Sequence, residues 1–206
     1  MSAKIKKRRR NPSKEKGSAY ERAIAAILSS SFYSGGDGAF QRIQSQPIPA
    51  KGQKSADVEA LRYMEVDGER VLICDRSWPF SIECKNIRKA KHFFSGLYEK
   101  DFEIVSWASQ AALVAARDGK VPLLIFRLFR SKDLAVLRAE DYARMAEYFG
   151  KPKGRRMELR SIGDEERAFS FVFLLLEDFL DWVDWEFYKV ARFGRYIKSL
   201  IPEEES

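Results

Sequence analysis

Residues 102–128 read FEIVSWASQAALVAARDGKVPLLIFRL, a helical pattern followed by an apolar run. Phe102 to Ala116 is strongly helical, and Asp118-Gly119 closes it as glycine closes many helices. Val121 to Leu128 is then a near-continuous apolar run, the pattern of a strand buried on both faces. A helix leading straight into such a strand predicts an α/β fold with a mixed central sheet flanked by helices.

Towards the N-terminus, Phe80 to Lys85 is strand-like and follows a Ser77-Trp78-Pro79 loop. Val71-Leu72-Ile73-Cys74 reads as another strand, Gly68 as a turn, and Asp57-Val58-Glu59-Ala60-Leu61 as the opening of a further strand. Phe40 to Ile48 reads as a strand ended by Pro47 and Pro49, after a break at Ser34-Gly35-Gly36-Asp37-Gly38. Ser18-Ala19-Tyr20-Glu21 reads as a capping box that opens a helix through about Ser29. Towards the C-terminus, Leu134–Leu137 and Phe171–Leu176 each look like a strand running into a capped helix. Lys151-Pro152-Lys153-Gly154-Arg155-Arg156 between them reads as an exposed basic loop. The aromatic segment Phe179 to Tyr188 reads as core, with a dimer surface as its alternative.

Composition bounds the function. A chain of 206 residues, 45% hydrophobic and 13% aromatic, buries a substantial core. No apolar run approaches a membrane span, and the charged N-terminus is followed by no apolar segment of a secretory signal. Cys74 and Cys84 form no CxxC pair, so two incidental thiols in a reducing, cytoplasmic compartment are expected. His92 is the only histidine, which argues against a histidine-based nuclease or zinc site. The net charge of +7 has one source. Residues 1–16 carry Lys4, Lys6, Lys7, Arg8, Arg9, Arg10, Lys14 and Lys16 against Glu15 alone, and the rest of the chain is neutral. Such an arm is expected to be disordered in isolation and drawn to polyphosphate.

The chemistry sits in Ile82-Glu83-Cys84-Lys85. On a strand, residues two apart share a face, so the Glu83 carboxylate and Lys85 ammonium project together. Asp57, at the start of a neighbouring strand, can converge with them on one divalent ion. Phosphodiester cleavage needs that convergence, because the scissile group is anionic and its transition state gathers more charge. Two carboxylates plus substrate phosphate suffice for Mg²⁺, with Mn²⁺ expected to substitute. Lys85 beside the reacting water can orient it or stabilise the oxyanion.

Asp57 with Glu83-Cys84-Lys85 resembles the PD-(D/E)XK nuclease superfamily, and within it the archaeal-type Holliday junction resolvases. Those open with K-G-x-x-x-E-R, here Lys16-Gly17-Ser18-Ala19-Tyr20-Glu21-Arg22, and continue through a glycine loop, here Lys51-Gly52-Gln53-Lys54-Ser55-Ala56-Asp57. The I-E-V-K strand reads Ile82-Glu83-Cys84-Lys85, and a later hydrophobic strand reads Val121-Pro122-Leu123-Leu124-Ile125. Ala56 replaces the proline of the PD pair. The long interval from Asp57 to Glu83 implies an inserted hairpin or loop around Gly68 and Trp78.

The resemblance implies catalytic Glu21, Asp57, Glu83 and Lys85, the three carboxylates holding the metal, with Ser55 and Gln110 as accessory candidates. As third residue of a capping box Glu21 needs no catalytic role, so its two readings stay side by side. Lys6, Lys7, Arg8, Arg9, Arg10, Lys51, Lys54, Arg88, Lys89 and Lys91 are the candidate DNA contacts, although the last three can equally be solvent-facing. The expected organisation is a basic arm (1–16), a restriction-endonuclease-like core (17–130) and a C-terminal α/β extension packed on it (131–206). The expected function is a Mg²⁺-dependent DNA endonuclease selective for branched DNA and acting as a homodimer. A linear-duplex restriction or repair-type endonuclease and a non-catalytic DNA-binding protein are the alternatives.

Overall fold

Eight strands form one sheet in the computed structural model, which describes residues 12–33, 35–36, 38–43, 56–75, 78–87, 103–128, 131–160 and 170–183. The strands are β1 (Gly38–Arg42), β2 (Val58–Val66), β3 (Glu69–Cys74), β4 (Phe80–Ile87), β5 (Val121–Leu128), β6 (Asp133–Arg138), β7 (Arg156–Arg160) and β8 (Ser170–Leu175). The described helices are α1 (Pro12–Phe32), α2 (Glu103–Asp118), α3 (Ala139–Phe149) and α4 (Leu176–Trp182). The sheet runs β1-β2-β4-β5-β6-β8-β7, with β3 paired to β2 off this path. β4 and β5 are parallel and the other pairs antiparallel. Parallel neighbours need a crossover, and α2 lies in it. The architecture is thus the mixed α/β fold expected, of restriction-endonuclease-like kind.

Strand alternation sorts the core into two faces. Val121, Leu123 and Ile125 of β5 pack with Tyr20, Ile24 and Leu28 of α1, Tyr142 and Met145 of α3, and Phe179 and Trp182 of α4. Leu124 and Phe126 face the other way, onto Ile104 of α2. So α1, α3 and α4 cover one face and α2 the other, which is why β5 is apolar at every position from Val121 to Phe126. The described residues 131–160 and 170–183 are continuous with this body. β6 pairs directly with β5, and Phe179 stacks edge-on against Phe80 with ring centroids 5.6 Å apart. No helix among the described residues is long and apolar enough to cross a membrane.

The long interval between Asp57 and Glu83 holds a hairpin. β2 and β3 join through Asp67 (φ 53°) and Gly68 (φ 80°), and two positive φ values are what an Asp-Gly type I′ turn requires. Its outer part exposes Tyr63, Met64, Val66, Val71 and Leu72.

Several local expectations are corrected. α1 begins at Pro12, so Ser18 and Glu21 lie inside a helix and form no capping box. The charged turn Lys14-Glu15-Lys16 carries the helix upstream, and proline suits a first turn that has no use for its missing N–H. β1 stops at Arg42, and residues 44–48 of the longer strand expected there lie outside the described residues. Neither α3 nor α4 has a side-chain cap, because the residues before them, Arg138 and Leu175, offer no short acceptor. Both place two acids in the first turn instead, where the helix dipole favours them. β7 is a strand that the sequence pattern does not signal. Phe179, Trp182 and Val183 are buried, which settles the described part of the aromatic segment as core and removes those side chains as a dimer surface.

Because one core spans the sheet, the chain is expected to unfold in a single transition. Phe179→Ala, at a fully buried position, should lower its stability by about 3–5 kcal/mol in urea titrations followed by tryptophan fluorescence. Two separated transitions, with only one shifted, would show that residues 131–206 fold apart from the rest.

Candidate active site

β2 and β4 share one register pair, Val58 with Ile82, and diverge from there. Asp57 sits at that fork. Its backbone N–H donates to the Ile82 carbonyl (2.8 Å), and its own carbonyl accepts from Ile43 N–H (3.0 Å). Its side-chain Oδ2 accepts the Cys84 backbone N–H at 2.7 Å. Backbone and side chain are therefore both fastened to the strand that carries Glu83.

Alternation on β4 turns Ile82 and Cys84 towards α1 and leaves Glu83 and Lys85 on the side of α2. Glu83 is 3% exposed, a burial that a carboxylate tolerates only with partners. It has two: Lys85 Nζ and, from α2, Gln110 Nε2 at 3.0 Å, both donating to Oε1. Among the described residues no donor reaches Oε2. Gln110, an accessory candidate, thus holds Glu83 in place.

Burial pushes the Asp57 carboxyl up to about 6, and the neighbouring Glu83 charge adds to the rise. The Cys84 N–H and Lys85 pull the other way, and Glu21 raises it further. Burial also raises the Cys84 thiol well above its ordinary range, with the charges of Asp57, Glu21 and Glu83 against its ionisation, so a thiolate nucleophile is disfavoured. Two carboxylates held together with their repulsion only partly relieved, each with an oxygen free of described donors, make a donor set that suits a hard divalent cation.

Glu21 stands at the edge of this group. Its charge is felt at Asp57 and Cys84, but its carboxylate is ion-paired with Arg42 of β1. Among the described residues, no three His, Cys, Asp or Glu side chains stand close enough to hold an ion in common. The geometry therefore offers a two-carboxylate site, with Glu21 bound to its arginine. Ser55, Lys51 and Lys54, the arm residues Lys6, Lys7, Arg8, Arg9 and Arg10, and Arg88, Lys89 and Lys91 lie outside the described residues.

One cluster beside the site has no signature in the sequence. Tyr20, buried on α1, donates its hydroxyl to Asp133 Oδ1 at 2.8 Å. Arg127 grips the same carboxylate, with Nε at 2.8 Å from Oδ1, and its guanidinium lies 5.4 Å from the Tyr20 ring centroid. This fastens the first half of α1, which carries Glu21, to the ends of β5 and β6. Burial raises the Tyr20 hydroxyl far above its ordinary range, so it acts only as a donor here. No local pattern links positions 20, 127 and 133.

The sheet, the crossover helix and the Asp57–Glu83–Lys85 group have the arrangement expected of the PD-(D/E)XK class. The chain belongs to the family described as "Phage putative PDDEXK endonuclease", whose model matches residues 12–189. No curated protein and no solved structure matches the chain.

The raised Asp57 carboxyl has a consequence for stability. Its folded value, about 6, lies above the ordinary 3.8, so the native state holds the proton more tightly and this group's contribution falls as pH rises from about 4 to about 6. Asp57→Asn keeps an acceptor for the Cys84 N–H and removes the charge. In chelator at pH 7 it should be more stable than wild type by about 1–3 kcal/mol, with the difference vanishing near pH 4. Urea titrations at the two pH values measure this, and equal stability at pH 7 would contradict the electrostatic reading.

Proposed function

We propose that the protein is a divalent-metal-dependent endodeoxyribonuclease that hydrolyses DNA phosphodiester bonds with Asp57, Glu83 and Lys85. The observation that carries this reading is the convergence of the two carboxylates and the ammonium at the fork between β2 and β4. Asp57 and Glu83 would hold Mg²⁺, with Mn²⁺ as a substitute. A bound ion supplies positive charge to the phosphoryl oxygens and acidifies water.

The chain's own groups do the rest. Lys85 gives one of its three donors to Glu83 and has the others for the attacking water or a non-bridging phosphoryl oxygen. Its side chain is 27% exposed, enough to meet a substrate that buried Glu83 cannot touch from all sides. Gln110 fixes the rotamer of Glu83, so the carboxylate is already oriented when phosphate arrives.

Asp57→Ala, Glu83→Ala and Lys85→Ala should each lower single-turnover cleavage of plasmid DNA by at least about 100-fold, while affinity for DNA stays within a few-fold. Gln110→Ala, which removes one of the two donors to Glu83, should lose about 10- to 100-fold, with a raised Mg²⁺ requirement. Full activity in Glu83→Ala would end the site assignment.

The order of resolvase-like motifs from Lys16 to Leu128 supports a finer proposal, that branched DNA is the preferred substrate and that a twofold dimer cuts opposed strands. A dimer by light scattering that places paired symmetric nicks in an immobile four-way junction, and spares linear duplex of matching sequence, is the expected result. A monomer that cuts both alike favours a linear-duplex restriction or repair-type endonuclease.

A further inference from the structure

The basic loop that precedes β7 lies level with the active site. Strand registers trace one row across the sheet: Cys84 opposes Ile125, Ile125 opposes Ala135, Ala135 opposes Leu174, and Leu174 opposes Arg156. Cys84 is the residue between Glu83 and Lys85. Arg156 is the first residue of β7, which runs antiparallel to β8, so residues 151–155 lie past the end of the sheet where β4, β5 and β8 finish. That is the end towards which Lys85 follows Glu83. Four strand steps of about 4.8 Å put the start of β7 about 19 Å across the sheet from β4, with the loop anchored on the α3 and α4 side and Glu83 and Lys85 turned to the α2 side.

The loop is built rather than loose. Trp182 Nε1 donates to the Gly150 carbonyl at 2.6 Å, and Arg156 Nη1 donates to the Tyr142 hydroxyl at 2.7 Å. Between these anchors the Gly154 backbone passes so close to the Asp178 carboxylate that an added Cβ, 2.1 Å away, would have to push it aside. Exposure alternates as a result: Lys151, Lys153 and Arg155 face solvent, while Pro152 and Gly154 are half-buried against the body. Among the described residues none of these three cations is ion-paired, whereas nearby Lys132 is paired with Glu177. Asp178 is the acid that abuts the loop, and it offsets one of four positive charges between Lys151 and Arg156.

We propose that residues 151–155 form a second contact for the DNA backbone, with Lys151, Lys153 and Arg155 on phosphates of a duplex that passes the end of the sheet where β4, β5 and β8 finish. The proposal rests on the nuclease reading for its substrate. In it, the C-terminal strands carry a preorganised cationic strip to one side of the chemistry, where it fixes register without reading bases.

The test is binding in chelator, where no cleavage is needed. For the variant Lys151→Ala/Lys153→Ala/Arg155→Ala, the slope of log affinity against log salt on a 20-base-pair duplex should fall by about 2 to 3, at about 0.9 per phosphate contact. Wild-type affinity should climb as the duplex becomes long enough to span both contacts, and the variant should lose that climb. Lys153→Glu alone should weaken binding several-fold, and the exposed position should leave Tm unchanged in both variants. An unchanged salt slope overturns the proposal even if the protein cleaves DNA. A reduced slope in a protein that never cleaves keeps it and sinks the nuclease reading instead.

Discussion

The Asp57 side chain accepts the backbone N–H of Cys84, and this bond joins the two halves of the site. β2 and β4 pair at a single register position before the β2–β3 hairpin leans away. At such a fork the strands would be free to splay. The carboxylate closes the gap by using one oxygen as if it were part of the sheet, and it thereby holds its charge where that of Glu83 is felt. Repulsion between the two acids is the cost, visible in the raised Asp57 carboxyl. A protein selected for stability alone would place a neutral residue there; holding charge against charge makes physical sense where a cation is to be bound.

The sheet converts this local arrangement into a rigid site. β5 is buried on both faces, so β4 beside it is held by a full parallel ladder from Phe80 to Ile87. α2, which crosses between them, returns Gln110 to Glu83, while Tyr20 and Arg127 share Asp133 and fasten α1 on the opposite face. Both faces of the sheet are thus pinned by polar contacts between residues far apart in the chain. The C-terminal strands extend the same ladder, so the position of β7 is tied to the position of β4 by backbone hydrogen bonds alone.

Much of this was legible in the sequence, for reasons that are local. Val121 to Leu128 announced a doubly buried strand because its run is apolar almost throughout, and Asp118-Gly119 marked the helix end before it. Glu83 and Lys85 announced a shared face because strand alternation needs no tertiary information. The interval after Asp57 announced an insertion, and Asp67-Gly68 proved to be its turn. What failed locally was the start of α1. A Ser-x-x-Glu pattern marks a helix start only when the residues before it are not themselves helical, and here they are.

Local sequence is enough for most element types, β7 excepted, for the doubly buried strand and for the shared face of Glu83 and Lys85, since each depends on neighbours a few positions away. Tertiary structure alone decided that Asp57 meets Glu83 through the Cys84 N–H, that Glu21 turns to Arg42, that Gln110 supports Glu83, and that Tyr20 and Arg127 share Asp133. It also decided that the basic loop stands level with the catalytic row. The longest of these contacts joins residues 113 positions apart. Their partners are chosen by strand order and register, which arise only when the whole sheet packs.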